Sequence, residues 1–314
     1  MEYIILKNSD LKVSRICMGG CPMGGYGWGY TKEQELIDAV HTAIDTGINF
    51  FDTADTYGLG QSEKKEKILG RALGNHRKDC IIATKFGVRV NNGKTTYDNS
   101  PEWIIAALNE SLMRLGTDYV DLYQIHYRDG QTPMESVVET LEELKKAGKI
   151  RYYGLSNINQ KNEEELRPFV GKFVSFQNEY SLACRKNEED MLRISKNLEM
   201  SPLTWGSLGQ GILTGKYDET VTFGTNDRRS REVYVNFHGD KLLKNLEIVK
   251  VMKKIAEKYD KPVAAVAIRY ILDFLYGSVV LCGAKKPAQV LENIKGTDWK
   301  LERTDIEKLD QISL

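Results

Sequence analysis

Four polar residues of this 314-residue chain stand out by type and position: Asp52, Tyr57, Lys85 and His126. Asp52 closes the apolar run from Ile48 to Phe51, Lys85 follows Ile81 to Ala83 through Thr84, and His126 follows the stretch from Tyr119 to Ile125. If those runs are parallel strands of one closed sheet, their C-terminal ends converge on a single mouth and the four side chains meet there. Together they could handle a carbonyl group. Tyr57 would serve as general acid, its phenol activated by Lys85 and the lysine held charged by Asp52. A free tyrosine titrates near about pH 10, and a nearby cation favours the phenolate. His126 would orient the carbonyl oxygen by a hydrogen bond. Taken singly, each residue has an ordinary role: Asp52 can cap a turn, Lys85 can be a solvated charge, Tyr57 is one of 16 tyrosines, and a lone histidine is usually structural. At successive strand ends the ordinary explanation needs four coincidences.

The rest of the chain alternates in a way that supplies such strand ends. A hairpin-like stretch opens it, from Tyr3 to Leu6, through a turn at Asn8-Ser9-Asp10, to Val13 and Cys17. Leu36, Val40, Ala43 and Ile44 then recur at helical spacing, and Gly47 supplies a stop. Ser100-Pro101-Glu102 is a helix start with Ser as N-cap and Pro at the first position, followed by Ile104, Ile105, Leu108, Leu112 and Leu115. The pattern continues with helices expected over 133–147, 160–169, 188–198 and 241–259, strands over 150–155, 173–177, 203–208 and 278–282, and a helix over 287–294. A polar stretch over 218–239 breaks the rhythm, and such insertions are usually functional or disordered. Strands alternating with helices pair in parallel, as an open doubly wound sheet or a closed barrel. The open form places Gly-x-Gly-x-x-Gly between its first strand and helix, a spacing that Gly19, Gly20, Gly24, Gly25, Gly27 and Gly29 lack. The closed barrel gains.

Composition narrows the class. The 44 basic and 44 acidic residues balance, which argues against disorder and gives no basis for binding nucleic acid. No apolar run reaches the roughly 18 residues of a membrane span, since Arg269 and Asp273 interrupt the longest candidate, from Val263 to Leu275. The N-terminus lacks a signal-peptide pattern. Cys17, Cys21, Cys80, Cys184 and Cys282 are scattered, without a Cys-x-x-Cys pair, and read as reduced thiols of a cytoplasmic protein. With only His41, His76, His126 and His238, no metal centre is expected.

The chain resembles the aldo-keto reductase family over nearly its whole length. The motifs come in order: Phe50-Phe51-Asp52-Thr53-Ala54 with Tyr57-Gly58, Ile82-Ala83-Thr84-Lys85, Asp121-Leu122-Tyr123-Gln124-Ile125-His126, Gly148-Lys149-Ile150-Arg151, Gly154-Leu155-Ser156-Asn157, Gln177-Asn178-Glu179-Tyr180 and Gly211-Ile212-Leu213-Thr214-Gly215-Lys216. Trp205-Gly206-Ser207-Leu208 and Gly283-Ala284-Lys285-Lys286-Pro287 point to its bacterial stress-type and inositol-operon-type branch. The resemblance implies an α/β fold: a (β/α)8 TIM barrel closed below by an N-terminal β-hairpin, one domain over residues 1–314. It implies a nicotinamide cofactor held without a Rossmann fold, and puts Asp52, Tyr57, Lys85 and His126 on the family's catalytic tetrad. Asp52 also joins the cofactor set.

Carried over residue by residue, Ser156, Asn157 and Gln177 match positions that bond the nicotinamide carboxamide, and Trp205 the aromatic that stacks under the ring. The loop from Ser207 through Leu208, Gly209, Gln210 and Gly211 to Lys216 resembles the segment folding over the pyrophosphate. Lys285, Gln289, Glu292 and Asn293 match the adenosine end, and Gly20 and Gly283 complete the set. Lys285 and Lys286 precede Pro287 at a helix start, where cations and free N–H groups would face one anion, an adenosine 2′-phosphate being the candidate. Gln289 stands where some branches carry an Arg, so NADPH is expected and NADH remains possible. Cys21 replaces a common Trp and, with Trp28, Tyr57 and His126, is expected to face substrate. Glu63-Lys64-Lys65-Glu66-Lys67 reads as a solvated surface turn. The expected activity is NADPH-dependent reduction of a small aldehyde or ketone by a cytoplasmic monomer or weak homo-oligomer. The alternatives are an NAD(P)+-dependent sugar or polyol dehydrogenase on the same site, a channel-subunit-like cofactor-sensing module, and, remotely, a metal-dependent barrel isomerase.

Overall fold

Short runs of buried apolar residues cannot satisfy their backbone groups alone, and eight of them pair side by side here until the last meets the first. The computed structural model describes residues 1–24, 27–29, 31–57, 62–91 and 93–314. Strands β1 (Tyr3–Ile5) and β2 (Lys12–Ser14) form an antiparallel hairpin. Then come β3 (Ile16–Gly19), helix α1 (Glu33–Asp45), β4 (Phe50–Asp52), α2 (Ser62–Leu73) and β5 (Ile81–Phe86). A second hairpin, β6 (Val88–Asn91) with β7 (Lys94–Tyr97), precedes α3 (Pro101–Leu115) and β8 (Val120–Ile125). The remainder is α4 (Met134–Lys146), β9 (Ile150–Ser156), α5 (Glu163–Leu166), β10 (Ser175–Glu179), α6 (Glu188–Asn197), β11 (Ser201–Trp205), α7 (Gly239–Tyr259), α8 (Val263–Phe274), β12 (Val279–Gly283), α9 (Pro287–Asn293) and α10 (Arg303–Ser313). In barrel order the strands run β3-β4-β5-β8-β9-β10-β11-β12, all parallel, and β12 closes on β3 through Leu281 opposite Cys17.

Two cores follow from strands buried on both faces. The inner one packs Cys17, Phe50, Ile81, Ala83, Leu122, Leu203, Val279 and Leu281 inside the barrel, and the hairpin plugs its lower end with Leu6, Leu11 and Val13. The outer core lies between strands and helices. Helix α3 begins as its Ser-Pro start predicts, with Ser100 Oγ accepting from the Trp103 N–H at 3.4 Å, and ends at Gly116, whose φ of 66° suits glycine. Among the described residues, no helix is long and apolar enough to cross a membrane.

Several expectations shift. The helix expected over 160–169 is a single α turn, α5, flanked by 3-10 turns at Gln160–Asn162 and Arg167–Phe169, because Pro168 withdraws a backbone donor. The strand expected over 203–208 ends at Trp205, where Gly206 turns the chain at a φ of 66°. Helix α10 follows the one expected to be last. The 218–239 stretch forms only short 3-10 turns, at Arg228–Ser230 and Val235–Phe237.

Candidate active site

The period of two along each strand carries apolar residues low in the barrel and polar ones higher on the same inward face. Phe50 is followed two residues on by Asp52, Ala83 by Lys85, Leu122 by Gln124 and Leu203 by Trp205, so the upper end of the inner core becomes a polar floor. Asp52, Lys85 and Gln124 are buried there. Lys85 Nζ donates to Asp52 Oδ1 at 2.5 Å, to the Thr53 carbonyl at 2.9 Å and to Tyr57 Oη at 3.0 Å. Asp52 Oδ2 accepts from Gln177 Nε2 at 2.9 Å and Gln124 Nε2 at 3.1 Å. The Tyr57 and His126 rings stand edge to face, centroids 5.9 Å apart. Strand β3 comes close enough for the Gly20 N–H to donate to the Asp52 carbonyl at 2.6 Å, and a Cβ on Gly20 would lie 2.9 Å from that oxygen.

Burial sets the protonation states. The His126 imidazole is pushed down to about 3, first by desolvation and then by the Lys85 charge, so it is neutral at physiological pH. Its Nδ1 is buried without a partner among the described residues. The Tyr57 phenol is held well above its ordinary value, by burial first and by the Asp52 carboxylate second. The sequence-based expectation that Lys85 would draw this group toward phenolate is thus reversed: Asp52 sits on the same lysine and offsets its charge. The arrangement holds a protonated phenol against an ammonium, a group placed to give up a proton.

One cavity of about 710 Å³ opens above this floor. It is lined by every residue expected at the catalytic, cofactor and substrate sites except Gly20, Lys85 and Gly209, which are not part of its lining. Lys85 therefore reaches the cavity only through Tyr57. Several expected contacts are already taken. The Gln177 amide donates to Asp52, Ser156 Oγ donates to the Gln177 carbonyl at 2.9 Å, and Asn157 Nδ2 donates to the His126 carbonyl at 3.1 Å. Ser207 turns its hydroxyl inward to the Thr204 carbonyl, leaving its backbone for the cavity. Gln210 is tied to Glu179 and Asn236. Lys216 pairs with Glu292 at 3.0 Å, and the Lys285 N–H donates to Gln289 Oε1 at 2.7 Å while its ammonium donates to the Trp28 carbonyl. Lys286 pairs with Glu35 at 3.4 Å and does not join Lys285 at one anion.

The cavity fits an extended dinucleotide on its own chemistry. Lys216, Arg229 and Lys285 supply cations to its wall, and Gly206, Gln210 and Gly211, which also line it, run left-handed at φ of 66°, 56° and 108°. Trp205, Asn157, Tyr57 and Asn293 line the same cavity.

Three kinds of residue escaped the sequence reading. Gln124 was quoted in a motif without a role, although an amide two residues beyond an interior Leu122 is a signal of a polar partner. Arg228, Arg229 and Tyr234 enter the cavity from the irregular 218–239 stretch, and Tyr97 from the second hairpin. Glu63 to Lys67, expected as a solvated surface turn, is the start of helix α2, and while Lys67 is exposed there, Lys65 is 2% and Glu66 0% exposed. Gly25, Tyr26 and Tyr30 of the aromatic loop and Gly58 of the tyrosine motif lie outside the described residues.

The comparisons agree with this fold. The structure superposes on the glycerol dehydrogenase of Gluconobacter oxydans with a TM-score of 0.87, at 33% identity, covering 99% of this chain and 94% of that one. An aldo-keto reductase of Bacillus subtilis, YhdN, is 35% identical over 99% of this chain and 93% of its own length. The NADH-specific methylglyoxal reductase of Escherichia coli is 30% identical over 97% and 96%. With the model of the Aldo/keto reductase family matching residues 15–314, the barrel and its lysine-backed mouth have a lineage: the chain belongs to that family, as an NAD(P)H-dependent oxidoreductase.

Proposed function

We propose that the protein reduces a small aldehyde or ketone to the alcohol with NADPH, and that Tyr57 is the acid. The observation that carries this reading is the contact of Lys85 Nζ with both Tyr57 Oη, at 3.0 Å, and Asp52 Oδ1, at 2.5 Å. A reduced nicotinamide, when bound, would supply the hydride for the carbonyl carbon. As negative charge grows on the oxygen, Tyr57 gives its proton and Lys85 steadies the phenolate that forms. Asp52 pairs with Lys85 in a buried place, where an unpaired charge would be costly. His126, neutral, donates a hydrogen bond to the same oxygen. Ser156, Asn157 and Trp205 would hold the ring, the Ser207 to Lys216 loop would cover the pyrophosphate, and Lys285 would take a 2′-phosphate, which would favour NADPH. Five free cysteines accord with the reducing cytoplasm.

The test is Tyr57→Phe, assayed by initial rates on a carbonyl panel with NADPH and NADH. Turnover should fall by at least about a hundredfold, the usual worth of a general acid, while cofactor affinity survives. Full activity would sink the mechanism. The likeness to a glycerol dehydrogenase favours a second reading, the same residues run in reverse on a polyol. Oxidation of polyols by NADP+ at rates exceeding every carbonyl reduction would select it.

A further inference from the structure

Lys65 is a cation of this cavity to which the reduction gives no task. It lies in α2, 2% exposed, with Nζ donating to the Cys21 carbonyl at 2.9 Å and standing 5.6 Å from the centre of the Tyr57 ring. An ammonium has three donors, and burying it costs several kcal/mol unless it is paired. Two other cations of the cavity are ion-paired, Lys216 with Glu292 at 3.0 Å and Arg229 with Asp227 at 2.7 Å, while Lys285, like Lys65, donates to a carbonyl. No carboxylate among the described side chains lies within 4.0 Å of Lys65. Of the carboxylates lining the cavity, Asp52 is engaged by Lys85 and Glu292 by Lys216, so none faces the substrate half. That half holds Cys21, Val88, Tyr97, Tyr127 and Tyr234, with Arg228 adding a second positive charge to the one on Lys65. Burial and Arg228 pull the Lys65 ammonium down to about 8, partly offset by the Cys21 side chain. The Lys65 ammonium, with no carboxylate among the described side chains within 4.0 Å and standing beside the acid that meets the carbonyl, is a receptor for an anion on the substrate.

We propose that Lys65, with Arg228 beside it, is the specificity determinant of the pocket and binds a carboxylate or phosphate group carried by the carbonyl substrate. The inference rests on the reductase reading and names its substrate class: small carbonyl compounds whose anionic group lies within one ring or a few bonds of the reacting carbon. Lys65 touches the substrate and takes no part in the transfer of hydride or proton.

The experiment measures kcat/KM for two charged and neutral pairs, 4-carboxybenzaldehyde with 4-nitrobenzaldehyde and glyceraldehyde 3-phosphate with glyceraldehyde, at saturating NADPH. Wild type is compared with Lys65→Met, Lys65→Arg and Lys65→Gln, the last covering a methionine variant that fails to fold. Intrinsic reactivity cancels when each charged-to-neutral ratio is compared across proteins. In Lys65→Met the ratio should fall about tenfold to a hundredfold, the worth of a hydrogen bond to a charged group. The fall should come through KM, and Lys65→Arg should restore most of it. A fall confined to one pair assigns the anion as carboxylate or as phosphate. Unchanged ratios in both pairs, with Tyr57-dependent reduction of the neutral aldehydes intact, overturn the inference and leave the reductase reading standing. No Tyr57-dependent reduction of any of these aldehydes overturns that reading, and the inference with it.

Discussion

His126 is neutral because it is buried beside a lysine, and this has a kinetic consequence. Its imidazole is pushed down to about 3 by desolvation and by Lys85, so no charge change occurs on it in the range where an exposed histidine titrates. kcat/KM for a neutral aldehyde should therefore stay flat between about pH 5 and 7, measured at saturating NADPH. An inflection in that range that vanishes in His126→Ala would show that the ring gains a proton in the free enzyme and is not the neutral donor proposed. At this scale the tetrad was legible because each member follows an apolar run. Lys65 was not, since in one dimension it is one charge among Glu63, Lys64, Glu66 and Lys67. Only the fold puts its ammonium under the Cys21 carbonyl.

Behind the floor, a buried charge network fixes α2 and α3 against β5 next to Lys85. Glu66 Oε1 accepts from Thr84 Oγ1 at 2.8 Å and Glu66 Oε2 from Arg114 Nε at 2.6 Å. Asp55, 7% exposed on the connection from β4 to α2, pays for this arrangement: burial first and the Glu66 charge second raise it to about 8. In the unfolded chain an aspartate titrates near about 3.9. Between these values the folded protein keeps a proton that the unfolded one has released, so stability declines with rising pH by up to about 1.36 kcal/mol per unit, and the full penalty stands above about 8. Asp55→Asn, neutral throughout, should gain stability over wild type as pH rises from about 5 to 9, seen as a growing Tm difference. A difference independent of pH would mean that Asp55 is already ionised in the fold. Element boundaries were legible where local chemistry sets them, as at Ser100-Pro101. The β6–β7 hairpin had its own signal in the Asn92-Gly93 dipeptide between alternating residues, masked by the stronger βα rhythm around it.

For the molecule as a whole, alternation made the barrel legible, but not which connections meet over its mouth, because those contacts join residues far apart in the chain. Gly27 bridges Asp227, the Arg228 N–H donates to the Gly27 carbonyl at 2.9 Å, and Lys285 donates to the Trp28 carbonyl. The connection after β3, the irregular 218–239 stretch and the end of β12 are thus joined beside the cavity through Lys285. For Lys285 to hold a 2′-phosphate it has to leave the Trp28 carbonyl, exchanging a neutral acceptor for a charged one. NADH offers no such exchange. A ligand that binds only the folded state stabilises it by about 2.7 kcal/mol at a hundredfold excess over Kd, so the preference can be read without a substrate. NADPH should raise Tm more than NADH at equal concentration, and Lys285→Met should bring the NADPH shift down to that of NADH while leaving the NADH shift in place. Equal shifts in wild type would instead assign the Lys285 charge to the loop alone, and the cofactor preference to no residue at the adenosine end.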